Sequence, residues 1–161
     1  MIVFIKGFEI ETIFICLLAS CLIVLSVIDW RIYEIPVGLN VFIAILGVVN
    51  LIIHYTDWTN YLIGAFCVSG FMFVLFVLTK GRGIGGGDIK LMFAAGLLLG
   101  WQNIILAFAL GCILGSIIHL LRMRLSGEEH VLAFGPYLSV GIMIAALWGE
   151  QIVKAYLMLV L

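Results

Sequence analysis

Charged residues cluster along this chain, and the stretches between the clusters are apolar and long. Thr12–Ile28 carries no charge and ends at Asp29-Trp30-Arg31. Ile35–Ile53 follows, closed by the polar turn His54-Tyr55-Thr56-Asp57-Trp58-Thr59-Asn60. Tyr61–Leu78 is the third run, closed by Lys80-Gly81-Arg82 and a stretch of glycines. Each run is near the length of about 20 residues that a helix needs to cross a bilayer. Leu91–Leu121 contains no Asp, Glu, Lys or Arg, but Gly100-Trp101-Gln102-Asn103 interrupts it. That interruption predicts a short helix up to about Gly100, a tight turn, and a full span over Ile104–Leu121 ended by Arg122 and Arg124. At about 1.5 Å of rise per residue the short helix covers about half the bilayer. The loop before it is then expected to dip below the membrane surface, which is tolerated where protein or water surrounds it. A sixth span is expected over Leu132–Trp148, extending past Glu150 and Gln151. The pattern predicts an all-α polytopic membrane protein of about six transmembrane helices, one of them short. With no internal repeat, linker or low-complexity tract, residues 1–161 read as a single membrane-embedded domain.

Composition supports lipid as the solvent. Of the 161 residues 65% are hydrophobic and 11% charged, with mean hydropathy +1.33, whereas a soluble domain carries about 25% charged residues. A chain this short cannot bury so much apolar surface in one small core. The net charge of −1 offers no electrostatic partner such as nucleic acid. Cys16, Cys21, Cys67 and Cys112 lie in apolar stretches without a C-x-x-C pair or a histidine cluster, which argues against a zinc site and a disulfide framework. They read as free thiols packed as small hydrophobes. The N-terminus is not a typical signal peptide: Lys6 is its only cation, Glu9 and Glu11 follow, and no small-residue cleavage site ends the apolar run. The first segment is therefore expected to stay. With both termini outside, the inner loops hold Arg31, Lys80, Arg82, Lys90, Arg122 and Arg124, against Lys6 and Lys154 outside, an asymmetry that fits the positive-inside rule.

This topology gives two aspartates a common depth. Asp29 ends the first span on the inner side, and Asp88 starts the short helix on that same side. Two carboxyls brought close cannot both ionise easily and share a proton. Such a pair can activate a water with one member while the other protonates a carbonyl oxygen, which is aspartic-protease chemistry. Gly81, Gly83, Gly85, Gly86 and Gly87 precede Asp88, and bare backbone lets an extended substrate approach closely. Each aspartate also has a plainer reading. Asp88 can cap a helix beginning at Ile89. Asp29 can pair with Arg31 or Lys90, although a carboxylate at a helix C-terminus opposes the dipole. The glycine run lacks the G-x-x-x-x-G-K-[ST] signature of a phosphate-binding loop. Pro36 suits the first turn of a restarted second helix.

Asp29-Trp30-Arg31-Ile32-Tyr33-Glu34-Ile35-Pro36 resembles the first aspartate motif of type IV prepilin peptidases, an Asp followed six residues later by Ile-Pro. Gly85-Gly86-Gly87-Asp88-Ile89-Lys90-Leu91 resembles their second, G-x-G-D followed by a hydrophobic residue and Lys. Phe134-Gly135-Pro136-Tyr137-Leu138 is similar to the stretch that opens the family's last helix, and Trp148-Gly149-Glu150 is also similar. The resemblance runs over Asp29 to Gln151. It implies a membrane aspartic endopeptidase in the bacterial cytoplasmic membrane that cleaves the basic leader of prepilins or pseudopilins after a glycine, at the cytoplasmic face. Asp29 and Asp88 would be its catalytic pair. Gly85, Gly86, Gly87, Lys90, Pro36, Gly135 and Pro136 would shape the loop and the substrate path, with Lys90 biasing the pair's protonation or holding the loop. No metal or cofactor is implied. Larger members carry an N-terminal insert with paired C-x-x-C motifs and a second, S-adenosylmethionine-dependent methyltransferase activity. This chain shows neither feature, so peptidase activity without methyl transfer is expected, as in the shorter members.

Other polar residues read more plainly. His119, three residues before Arg122, is expected to be a packing or snorkelling residue at the interface. Glu128, Glu129 and His130 form a solvated loop that can also greet a positively charged leader. His54 and Asp57 belong to the opposite side. Trp30, Trp58, Trp101 and Trp148 read as interfacial anchors. Three other functions compete. A proton-coupled transporter or channel would show polar groups near mid-span and broken helices in two matching halves. A non-catalytic assembly factor would tolerate asparagine at either aspartate. A broader G-x-G-D protease cutting other membrane helices would not need the Ile-Pro and Phe-Gly-Pro matches.

Overall fold

A chain in lipid must satisfy its backbone N–H and C=O groups internally, and for a single short chain the helix is the way to do it. The computed structural model describes residues 10–81, 83–126 and 133–160, and these fold into five α-helices. They are α1 (Ile10–Ile32), α2 (Val37–Ile53), α3 (Trp58–Leu78), α4 (Gly86–Ser126) and α5 (Gly135–Val160), with one 3₁₀ turn at Tyr55–Asp57 before α3. Four stretches are long and apolar enough to cross a membrane, Thr12–Ile32, Tyr55–Leu78, Gly86–Arg124 and Gly135–Leu159, and Val37–Ile53 is a shorter apolar helix. Lys6, Glu9, Arg82, Glu128, Glu129 and His130 lie outside the described residues, as does the side chain of Glu11.

The 41 residues of α4 are two helices end to end. Gly100 alone leaves helical geometry, with φ 77° and ψ 173°, a region open essentially to glycine. The chain reverses there. Arg122 stacks over Trp30, 5.1 Å from guanidinium to ring centroid, and Lys90 shares a cavity with Asp29, so both ends of α4 return to one end of the bundle. The new helix is capped from outside: the Trp101 N–H donates to Asn60 Oδ1 at 3.2 Å. The expected turn over 100–103 is therefore compressed into one residue. The first half, residues 86–99, rises about 21 Å, more than the half-bilayer expected, and it starts at Gly86, ahead of the start expected at Asp88 and Ile89. Counting the halves separately gives six helical segments, one of them short. Helices also outrun their apolar windows: α1 includes Asp29, and α5 continues to Val160. Charged side chains that reach the interface leave the backbone ladder intact.

Small residues set the spacing of the bundle. Gly64 and Gly96 bring α3 and the first half of α4 into backbone contact, and Gly141 does the same for α5 against Ala107. Such close approaches are how membrane helices gain packing without a hydrophobic drive. Leu18, Leu25, Ile43, Met72, Leu91 and Leu138 fill the core, while Ile23, Ile52, Phe66, Leu78 and Leu120 face outward. Trp30, Trp58 and Trp101 stand half-exposed at helix ends. Trp148 lies inside α5, beside Gly149, which packs on Asn103 just past the Gly100 turn.

The turn is testable. In Gly100→Ala the methyl would lie 2.7 Å from Asn60 Oδ1 on a backbone that L-residues avoid. Destabilisation of about 2 kcal/mol or more is expected, read as a lower thermal midpoint in detergent. An unchanged midpoint would mean the reversal is not held as described.

Candidate active site

The last turn of α1 carries Asp29, and the chain leaves it sharply. The Tyr33 N–H donates to the Asp29 carbonyl oxygen at 2.9 Å, and Tyr33 takes φ 55°, a left-handed C-terminal cap. The chain then doubles back through Ile35-Pro36. Pro36 caps α2 from just outside, extended at φ −60° and ψ 128°, and its carbonyl accepts from the Leu39 N–H at 3.2 Å. It is therefore one residue earlier than a first-turn proline. This hairpin sets Ile35 against the glycine loop: a Cβ on Gly87 would lie 2.8 Å from Ile35 Cβ.

Asp88 enters from the other side. Because α4 begins at Gly86, Asp88 is its third residue rather than the cap of a helix starting at Ile89. Its carboxylate reaches back to the Gly85 N–H, the return half of a capping box. A Cβ on Gly85 would lie 2.9 Å from Asp88 Oδ2, and the capping position coexists with a place on the cavity wall.

The two aspartates meet in one cavity of about 250 Å³, whose lining includes Tyr33, Glu34, Ile35, Gly85, Gly86, Gly87 and Lys90. Asp29 is 5% exposed and Asp88 7%. Neither forms an ion pair among the described residues, where the one pair joins Lys154 to Glu150 on the surface of α5. The expected alternative, Asp29 paired with Arg31 or Lys90, is not what the structure shows. Instead the Gly135 N–H, at the N-terminus of α5, donates to Asp29 Oδ2 at 2.9 Å. Pro136 follows in the first turn of α5, where a missing N–H costs nothing. Two buried carboxylates from different helices lining one cavity with room for water can polarise a water and a carbonyl together.

The other expectations sort by position. Lys90 is exposed at the cavity rim. His119 does not line the cavity. His54 borders a different, larger cavity of about 590 Å³ at the far end of the bundle, with Asn50, Asn60 and Asn103 and without either aspartate. Among the described residues no group of three or more His, Cys, Asp or Glu could hold a metal ion. Asn40 was invisible as a site residue in the sequence. Its Nδ2 donates to the Gly87 carbonyl at 3.2 Å, tying α2 to the loop before Asp88. The available signal was a polar side chain inside an otherwise apolar span.

Comparison with known proteins gives one consistent match. The model of the type IV leader peptidase family matches residues 16–120. The chain is similar to the prepilin leader peptidase/N-methyltransferase of Bacillus subtilis, 31% identical over 161 residues, covering 96% of this chain and 63% of that protein. The protein of the same name from Pseudomonas putida is 33% identical over 157 residues, covering 91% and 53%. That from Pseudomonas aeruginosa is 40% identical over 89 residues, covering 53% and 31%. The chain thus spans less than two thirds of the length of these curated relatives. No solved structure matches.

Proposed function

The chain belongs to the type IV leader peptidase family, and from that premise we propose that it is a membrane aspartic endopeptidase acting on prepilin-like precursors through Asp29 and Asp88. The observation that carries this reading is the pair itself: two buried carboxylates, from α1 and α4, lining one cavity without an ion pair to any cation among the described residues. One carboxylate takes a proton from water as its oxygen attacks the scissile carbonyl carbon, while the other gives its proton to the carbonyl oxygen. The tetrahedral adduct then collapses: the C–N bond breaks, the leaving amine takes the proton held by the first carboxyl, and the second recovers its proton from the adduct's hydroxyl. The glycine loop leaves room for an extended backbone beside this pair. Arg31, Lys80, Lys90, Arg122 and Arg124 mark the same end of the bundle, which supports a cytoplasmic placement of the site in a bacterial inner membrane.

The test is cleavage of a precursor with a basic leader, a glycine and an apolar segment by the purified chain in lipid. A single cut after the glycine is expected, mapped by mass spectrometry. Adding S-adenosylmethionine is expected to leave the product unmethylated, since Cys16, Cys21, Cys67 and Cys112 form no C-x-x-C pair. An uncut precursor sinks the peptidase reading; a methylated product sinks only its second half.

A further inference from the structure

Beside the aspartate cavity runs a second space of about 450 Å³, an open groove between α2, α3 and the first half of α4. Its walls are nearly all apolar, with Val41, Ala44, Phe66, Phe73 and Phe93 among them. Val37 and Lys90 line both the groove and the aspartate cavity, so the two spaces adjoin. Of its polar residues, Asn40 is left unsatisfied. Asn40 borders the groove, is 4% exposed, and spends its Nδ2 on the Gly87 carbonyl. Its Oδ1 is buried without a hydrogen-bond partner among the described residues. A buried carbonyl oxygen without a donor is costly, and more so in an apolar wall.

A lipid acyl chain could fill the apolar space but brings no donor for that oxygen. A peptide brings one at nearly every residue, and the first turn of a helix has N–H groups to spare. We propose that the groove receives the apolar segment of the substrate on the mature side of the scissile bond, and that Asn40 is a positioning residue whose Oδ1 accepts a backbone N–H from it. This rests on the peptidase reading above. Because the same amide holds Gly87, seating the substrate and setting the loop before Asp88 are one event.

Gly70 gives a clean way to block the groove. It lines the space, and a Cβ added there meets nothing within 4 Å, so a larger side chain projects into the groove rather than into the protein. Cleavage kinetics of the full chain in lipid, with the precursor described above, provide the readout. In Gly70→Phe, KM is expected to rise about tenfold while kcat stays within about twofold, the pattern of lost uniform binding. Ile113→Phe adds bulk at another outward-facing position and is expected to change neither. A wild-type KM in a folded Gly70→Phe overturns the groove assignment. If native mass spectrometry then finds a lipid bound to wild type and lost from the variant, the groove is a lipid seat.

A second readout needs no groove variant. Replacing successive backbone N–H groups of the apolar segment with ester oxygens is expected to raise wild-type KM about tenfold at one position. Asn40→Ala is expected to be indifferent to that same replacement. A flat ester scan on wild type overturns the role of Asn40. A wild-type chain that cuts no precursor overturns the peptidase reading itself, and the groove proposal falls with it.

Discussion

Asp29→Asn and Asp88→Asn are each expected to lower kcat for leader cleavage by about 10³-fold or more, with the protein still folded. Asparagine keeps the shape of the side chain and loses the ability to take or give the catalytic proton. At position 29 an amide oxygen can still accept the Gly135 N–H, so the local geometry survives and the loss is chemical. Both carboxylates are buried and form no ion pair among the described residues. Removing either charge leaves no stranded counter-ion, and the thermal midpoint is expected to hold or rise. The two residues act as a unit, so the double variant should be hardly worse than either single one, which additive roles would not give. The measurement is single-turnover cleavage in lipid beside a melting curve. Substantial cleavage by either variant removes the dyad. In that event proton flux through vesicles becomes the test, since the transporter reading assigns the same carboxylates a different task.

What could be read in advance depended on how local its physical cause is. Spans were legible because each apolar run ends at charged or polar residues, and lipid imposes helices on such runs. The break in α4 was legible from Gly100-Trp101-Gln102-Asn103, but its width was not. One glycine at positive φ suffices only because Asn60, from α3, caps the next helix. The common depth of Asp29 and Asp88 followed from counting crossings. The contacts that hold them did not, since Gly135 reaches Asp29 across 106 residues of sequence. Asn40 does not stand out in the sequence for a similar reason. Its importance comes from facing Gly87 rather than lipid, and no periodicity within α2 announces that. The end of α1 differs from the expectation, since the helix runs through Asp29 to Ile32, because at an interface the side chain reaches water while the backbone stays helical; α2 and α3 stop at Ile53 and Leu78 as the polar residues after them predict.

The contact across those 106 residues is also where the smallest substitution should do the most to the chemistry. Gly135→Ala is expected to cut kcat by about 10²-fold, the size of loss that follows when a reacting group moves by about 1 Å. The alanine methyl would lie 2.7 Å from Asp29 Oδ2, 3.1 Å from its Cγ and 3.3 Å from Leu25 Cδ2. Leu25 is fully buried and Asp29 nearly so, so neither can swing out of the way cheaply. Asp29 must tilt away from the position its hydrogen bond now fixes. Overpacking of this kind costs about 1–3 kcal/mol, enough to lower the melting point modestly without unfolding the chain. Gly38→Ala serves as the comparison, because a Cβ there meets nothing within 4 Å and alanine at this second residue of α2 removes freedom from the unfolded chain worth about 0.4–1 kcal/mol. That variant should melt slightly higher and cleave at the wild-type rate. KM should move little in Gly135→Ala, since the methyl displaces a carboxylate rather than a substrate contact. Wild-type kcat in a folded Gly135→Ala would mean that the Gly135 hydrogen bond does not position Asp29 for catalysis, leaving the Phe-Gly-Pro segment a packing element alone.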